Sequence, residues 1–344
     1  MQPAVRTAVW LDESQLELAQ EIARRASLDI VAAGTPARGR SAALASALST
    51  EASTTAPIED ALDLMSSEAV ELVLFMTVEG LPAKPAPYIQ AVGPDDGGAA
   101  PMLASLEPIP ASAIAASQAN WQRFVGPLAA CDLVRLCPLD RFSRAARDAA
   151  DLLDLFGRPS VLSIDATCAP FASSLGSRLI SALDQVHALL GEPEAVNAVY
   201  TPPASDSPIV AAPGDDLAGL RGSMSAAVRL ADGRGATILV SDQSTGWHRD
   251  ITLIGPKGRL SITDTGSTWS GDTEPHAASP LPSRPTDAAE AISWSLRRLL
   301  DPGIPPERPT DAASLLATAQ TALLSARTGQ AEDVATVRRM ASVG

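Results

Sequence analysis

Three short, mostly apolar runs in the first quarter of the chain constrain its fold more than any other feature. They are Arg6–Leu11, Leu28–Ala33 and Val70–Thr77, and helix-forming segments separate them. A strand that is apolar on both of its faces must be covered on both, and crossover helices do this for parallel strands. The intervening segments read accordingly. Ser14-Gln15-Leu16-Glu17 looks like a capping box that opens a helix to about Ala26, and further helices are expected at Arg40–Leu48 and Ile58–Ser66. Met102–Leu106 and Asp132–Leu136 continue the strands, with a helix at Ile114–Phe124 between them. Val92–Pro101 is a loop by composition, and a long helix is expected from Arg141 to Phe156, ended by Gly157-Arg158-Pro159. This pattern predicts a Rossmann-like, doubly wound parallel sheet over residues 1–137.

From Ser160 the pattern changes. After a strand at Ser160–Thr167 and a helix at Leu179–Leu190, strands follow one another at Ala195–Tyr200, Gly222–Leu230, Ala236–Asp242, Asp250–Ile254 and Arg259–Thr263. Asp232-Gly233 and Pro256-Lys257-Gly258 are tight turns between neighbours, so the sheet is expected to be largely antiparallel. Polar, proline-bearing loops run over Pro202–Asp216 and Ser270–Pro285. Two closing helices share the opening Pro-Thr-Asp-Ala-Ala at 285–289 and 309–313, where threonine is the expected N-cap and Gly329 the expected C-cap of the second. Residues 138–344 thus read as an open-sheet α+β domain with C-terminal helices.

Composition narrows the partners. The 344 residues carry a formal charge of -14, with 46% hydrophobic and 19% charged side chains. Such a chain can bury a large core, but it lacks the clustered Lys and Arg that nucleic acid or an anionic membrane requires. Only Lys84 and Lys257 are lysines, which limits any lysine-based mechanism to two positions. Cys131, Cys137 and Cys168 read as buried thiols, and no apolar stretch is long enough to span a bilayer. A cytoplasmic protein is expected. His187, His248 and His276 are too dispersed for a zinc site, so no metal is expected. Nucleophile-elbow, Walker and H-E-x-x-H motifs are missing, and Asp95-Asp96 and Asp215-Asp216 read as solvated loop acids.

Four segments of the second half, in this order and spacing, resemble the Gfo/Idh/MocA oxidoreductases: Leu183–Pro193, Gly222–Gly233, Arg249–Ile262 and Ser325–Gly329. The resemblance implies a glycine-rich turn for NAD or NADP after the first strand, a catalytic lysine in Glu-Lys-Pro, and a helix reading Asp-x-Gly-x-His-x-x-Asp. It also implies pairing of subunits through the open sheet face. This chain departs from the pattern at the cofactor turn, the ribose acid, the lysine and the histidine. The turn reads Leu11-Asp12-Glu13-Ser14, without glycine and with two carboxylates where phosphates would lie. A like-charge pair about 5 Å apart costs about 3 kcal/mol at an effective dielectric near 20. Ala33-Gly34-Thr35 replaces the acid that holds the ribose, and Arg38 reads as a solvated arginine. Glu107 stands at the lysine position, Ser177 and Ser181 replace the first acid and the histidine, and only Asp184 is kept. Lys84 falls too early to substitute for the lysine, and His187, one turn beyond Asp184, reads as structural. Trp247 and Trp269 are candidates for lining a ligand cleft, with core packing the plainer role.

Three functions remain open. The favoured one is a family-like protein that has lost NAD(P) binding and hydride transfer and works by binding or assembly, with no catalytic, cofactor-binding or metal-binding residue and no cofactor. The second is a divergent NAD(P)-dependent oxidoreductase acting on a sugar or polyol, and the third a non-redox protein that binds a sugar-like ligand. Apolar residues on both alternating sets of the second-domain strands, including Ala227, Leu230 and Leu239 on the outer set, point to a homodimer or a heterodimer with a related protein through that sheet.

Overall fold

The computed structural model describes residues 4–50, 53–65, 70–81, 101–108, 134–204, 213, 217–271, 286–304 and 311–343. Lys84, Asp95-Asp96, the helix expected at Ile114–Phe124, Cys131, Asp215-Asp216 and His276 lie outside them, as does most of the two polar loops. The chain divides into two units, Met1–Cys137 with Ile292–Arg308, and Pro138–Ala291 with Pro309–Gly344.

The first unit runs β1 (Val5–Trp10), α1 (Leu16–Ala26), β2 (Leu28–Gly34), α2 (Ser41–Leu48), β3 (Ala56–Ile58), α3 (Ala61–Met65), β4 (Leu72–Phe75), β5 (Met102–Ser105) and β6 (Val134–Leu136). All its strand pairs are parallel, in the order β3-β2-β1-β4-β5-β6. That is the doubly wound order, whose switch point lies between β1 and β4. Alternating residues of β1 divide between the faces. Ala8 and Trp10 pack with Phe75, Val73, Leu64 and Met65 in one core cluster. Each large apolar side chain buried there contributes about 1.5–3 kcal/mol. The expected helix at Ile58–Ser66 is shorter than its sequence run because β3 takes its first residue.

The second unit runs α4 (Arg144–Asp148), α5 (Ala150–Phe156), β7 (Val161–Thr167), α6 (Leu175–Leu190), β8 (Ala195–Thr201), β9 (Ser223–Arg229), β10 (Gly235–Ser241), β11 (His248–Gly255), β12 (Gly258–Thr263) and β13 (Gly266–Ser270). It closes with α7 (Ala288–Leu300, of which Ile292 onward belongs to the first unit), α8 (Ala312–Thr328), β14 (Glu332–Asp333) and α9 (Val334–Val343). The sheet order is β13-β12-β11-β7-β10-β9-β8-β14, and only β7 and β10 pair in parallel. Leu162, Ile164, Met224, Val228, Ile238, Val240, Ile251 and Leu253 are buried on the face that α6 and α8 cover. The other face carries Ser163, Ser225, Ala227 and Thr237 among four large exposed apolar residues, Val161, Val199, Leu239 and Ile254. Leu230, expected on the outer set, is buried just past the end of β9.

Two local readings are corrected. The helix expected over Arg141–Phe156 is split at Ala149, whose N–H is shared between Ala145 O and Arg147 O. The N-caps of α7 and α8 are the aspartates that follow the threonines. Asp287 accepts from Glu290 N at 2.8 Å and Asp311 from Ser314 N at 3.1 Å. A carboxylate at that position both satisfies an orphan N–H and meets the positive end of the helix dipole. Gly329 ends α8 with φ +68°, as expected of a C-cap.

Candidate functional site

In a doubly wound sheet, ligands bind outside the carboxyl ends of the strands at the switch point. Here three side chains of the β1–α1 connection occupy that edge. Asp12 is extended, with φ -76° and ψ 152°, and its carboxylate accepts from Ser14 N at 2.9 Å and Ser14 Oγ at 2.7 Å. Gln15 closes the turn, its Oε1 accepting from Asp12 N at 3.0 Å, while its Nε2 donates to Met76 O at 2.9 Å. Met76 directly follows β4, so Gln15 spans the switch point from the β1 side to the β4 side. Trp10 ends β1 with its indole buried and donating to Glu79 O at 2.8 Å. The ring lies so close over β2 that a Cβ on Gly34 would come within 2.6 Å of it.

The capping box expected at Ser14–Glu17 therefore lies two residues earlier, at Asp12–Gln15. The correction changes what Asp12 does. A helix N-terminus offers amide donors to an anion, and in this turn the chain's own carboxylate takes them. Glu13 points outward to Arg40, with Arg40 Nε and Nη2 at 2.5 and 2.9 Å, and that hydrogen bond holds the Glu13 carboxyl below its usual range. Thr35 is buried after β2, and Arg38 is exposed. Glu107 is buried beyond β5, where Ser105 Oγ donates to its carbonyl at 2.5 Å and accepts from its N–H at 3.2 Å.

In the second unit, α6 carries the other expected positions, and all of them are buried. Ser174 caps the helix by accepting from Ser177 N at 3.2 Å. Ser181 Oγ accepts from Asp140 N at 2.8 Å, and Asp184 accepts from Arg141 Nε at 2.8 Å. The family-like positions thus fasten the turn at Asp140–Phe142 to the helix. His187 is structural, as expected. Its Nε2 lies 3.1 Å from Thr318 Oγ1, which itself donates to Ser314 O, and burial holds the imidazole below its usual pKa.

Sequence reasoning missed the most concentrated charge in this unit. Asp140, Arg178, Arg249 and Asp264 are all at least nine-tenths buried. Arg178 stacks 4.1 Å over the Trp247 ring, with Nη1 3.4 Å from the Asp140 carboxylate. Arg249 Nη1 lies 3.8 Å from Asp140 Oδ1, and its Nη2 donates to Asp264 Oδ1 at 2.7 Å. Burial pushes the Asp264 carboxyl up, and the Arg249 guanidinium opposes that shift. Trp247 therefore backs an arginine, while Trp269 packs edge-on to Phe156 at 5.6 Å, a core role. Cys168, near Asp242, is a buried thiol whose pKa is pushed up to about 12, which makes it unreactive. Among the described residues no cluster of His, Cys, Asp and Glu suits a metal ion, and no helix is long and apolar enough to cross a membrane.

Neither a protein-family model nor a curated protein sequence matches the chain. Solved structures do match. A levoglucosan dehydrogenase in complex with NADH and levoglucosan is 12% identical with a TM-score of 0.65, covering 96% of this chain and 99% of that one. A myo-inositol dehydrogenase from Corynebacterium glutamicum is 15% identical with a TM-score of 0.58, over 96% and 98%. An apo scyllo-inositol dehydrogenase from Lactobacillus casei is 16% identical with a TM-score of 0.61, over 97% and 99%. The chain has the fold of these dehydrogenases along nearly its whole length, which is the fold that the Gfo/Idh/MocA resemblance implies.

Proposed function

We propose that this chain keeps the dehydrogenase fold without dinucleotide binding or hydride transfer and works by binding or assembly. The observation that carries the reading is the β1–α1 turn. Its first amide donors serve Asp12, Gln15 bridges the switch point to Met76 O, and the Trp10 indole packs over Gly34. A pyrophosphate would have to displace a covalently attached anion and then lie beside Glu13. The α6 positions support the same reading, because Arg141 sits on Asp184 and the Asp140 backbone on Ser181. Glu107 cannot supply the positive charge that would polarise a substrate oxygen.

Calorimetry with NAD, NADH, NADP and NADPH tests this. None should bind tighter than about 1 mM, worth about -4.1 kcal/mol. Micromolar binding, with the dinucleotide seated on the Leu11–Leu16 turn in a crystal, overturns it. The structural relatives support a second reading, a divergent NAD(P)-dependent oxidoreductase acting on a sugar or polyol, since one was solved with NADH and levoglucosan. NADH production from a polyol panel decides for that reading. Binding of sugars without turnover would decide for a third, a non-redox receptor of a sugar-like ligand.

Assembly belongs to the same proposal. The open sheet face with Val161, Val199, Leu239 and Ile254 is the surface for a homodimer or for a heterodimer with a related protein. A cytoplasmic setting belongs to the same proposal.

A further inference from the structure

Four atoms of the buried charge cluster in the second unit have no hydrogen-bond partner among the described residues: Arg178 Nε, Arg249 Nε, Asp140 Oδ2 and Asp264 Oδ2. The four residues are between 1% and 7% exposed, so bulk water does not serve them. Leaving a buried charged donor or acceptor unserved costs more than leaving a neutral group so, and native proteins hold few such atoms. Here two are cationic donors and two are anionic acceptors, in one connected cluster whose formal charge is zero.

That pattern selects its guest. An anion would satisfy the guanidinium nitrogens and be repelled by the carboxylates, and a cation would do the reverse. A hydroxyl group does both, accepting from an N–H and donating to a carboxylate oxygen. The Arg249–Asp264 pair shows the geometry most directly. Nη2 and Oδ1 are bonded at 2.7 Å, and Nε and Oδ2 are the second members of the same guanidinium and carboxylate edges. We propose that the Arg249–Asp264 pair of this cluster is a hydroxyl-binding site, with one hydroxyl bridging Arg249 Nε to Asp264 Oδ2. Water and small polyols share this chemistry. The partly exposed Trp247 ring, with Arg178 stacked on it at 4.1 Å, forms the outer wall of the cluster.

The site stands independently of the reading of the first unit, and its test contains no dinucleotide. Wild-type protein is crystallised at high resolution without polyols, and matched crystals are soaked in ethylene glycol or sodium bromide. An isolated oxygen about 2.7–3.2 Å from both Arg249 Nε and Asp264 Oδ2 supports the site with water as its source. Replacement of that oxygen by a glycol hydroxyl supports it with a polyol as the source. Direct pairing of Nε with Oδ2, or an anomalous bromide peak between the guanidinium groups, overturns it. Asp264→Leu, which offers neither donor nor acceptor, should lose the bridging oxygen, and an unchanged oxygen in that variant also overturns the proposal.

Discussion

Arg249→Met is the sharpest probe of the buried charge cluster. It removes the guanidinium that bonds Asp264 at 2.7 Å and lies 3.8 Å from Asp140, and leaves two buried carboxylates with only Arg178 between them. Removing one partner of a buried ion pair typically costs about 3–5 kcal/mol, because the remaining charge stays desolvated. Removing both partners is far milder, since apolar side chains of similar volume are often neutral replacements. The double variant Arg249→Met/Asp264→Leu should therefore be more stable than Arg249→Met alone, with a coupling of about 2–3 kcal/mol. Urea unfolding followed by tryptophan fluorescence reads this, as Trp247 and Trp269 both lie in the second unit. At a slope of about 2 kcal/mol/M the single variant loses about 2 M in midpoint. Acid should narrow the gap. Burial raises the Asp264 carboxyl above 3.8 in the folded protein, so its favourable contribution is full below that value and is lost as pH rises through the folded pKa. Protonation at low pH removes the orphaned charge that makes Arg249→Met costly. A single-variant cost under about 1 kcal/mol, or a double variant that shows the sum of its parts, refutes the assignment of this cluster as a coupled network.

Three further outcomes are expected. Gly34→Ala should lose about 1–3 kcal/mol in thermal or urea unfolding, because its Cβ would meet the Trp10 indole at 2.6 Å and the Ile58 carbonyl at 2.7 Å. Wild-type stability should fall as pH drops below about 6.5 toward the lowered folded pKa of His187, by at most about 1.4 kcal/mol per pH unit, and His187→Gln should flatten that slope in a pH series of denaturation midpoints. Light scattering should show a dimer at micromolar concentration that Leu239→Arg dissociates, while a 35.5 kDa species indifferent to that change would defeat self-association through the open face.

The parallel half of the fold was legible because its strands are buried on both faces and therefore read as unbroken apolar runs. β3 escaped for the opposite reason. It is three residues long, includes Pro57 and lies at the sheet edge, where a missing ladder donor is tolerated. The sequence pattern starts α6 four residues late, because Gly176 weakens the helical pattern there. The structure shows why glycine stands at that point, since a Cβ would lie 2.1 Å from Leu217 O. At α7 and α8 residue preference alone favours the threonine as the cap, and the helices begin one residue later, capped by aspartate.

The site was harder to read, for a reason that particular residues make plain. Charged side chains are assigned to solvent by default, and Asp140, Arg178, Arg249 and Asp264 are scattered over four elements or turns. One signal was present: Arg249 shares the inward register of β11 with Ile251 and Leu253, so alternation alone places it inside. Asp12 shows the complementary limit. From the sequence its charge, with that of Glu13, reads as a repulsion toward phosphate. The structure makes it a cap bound to Ser14 and tied by Gln15 to Met76 O, so the turn is closed by hydrogen bonds as well as carrying charge. On the proposed reading, Asp12→Gly alone would leave Gln15 across the switch point and Trp10 packed on Gly34, and so should not produce micromolar NAD binding. Recovery of micromolar NAD affinity by that one change would show that charge, rather than the closed turn, keeps the dinucleotide out.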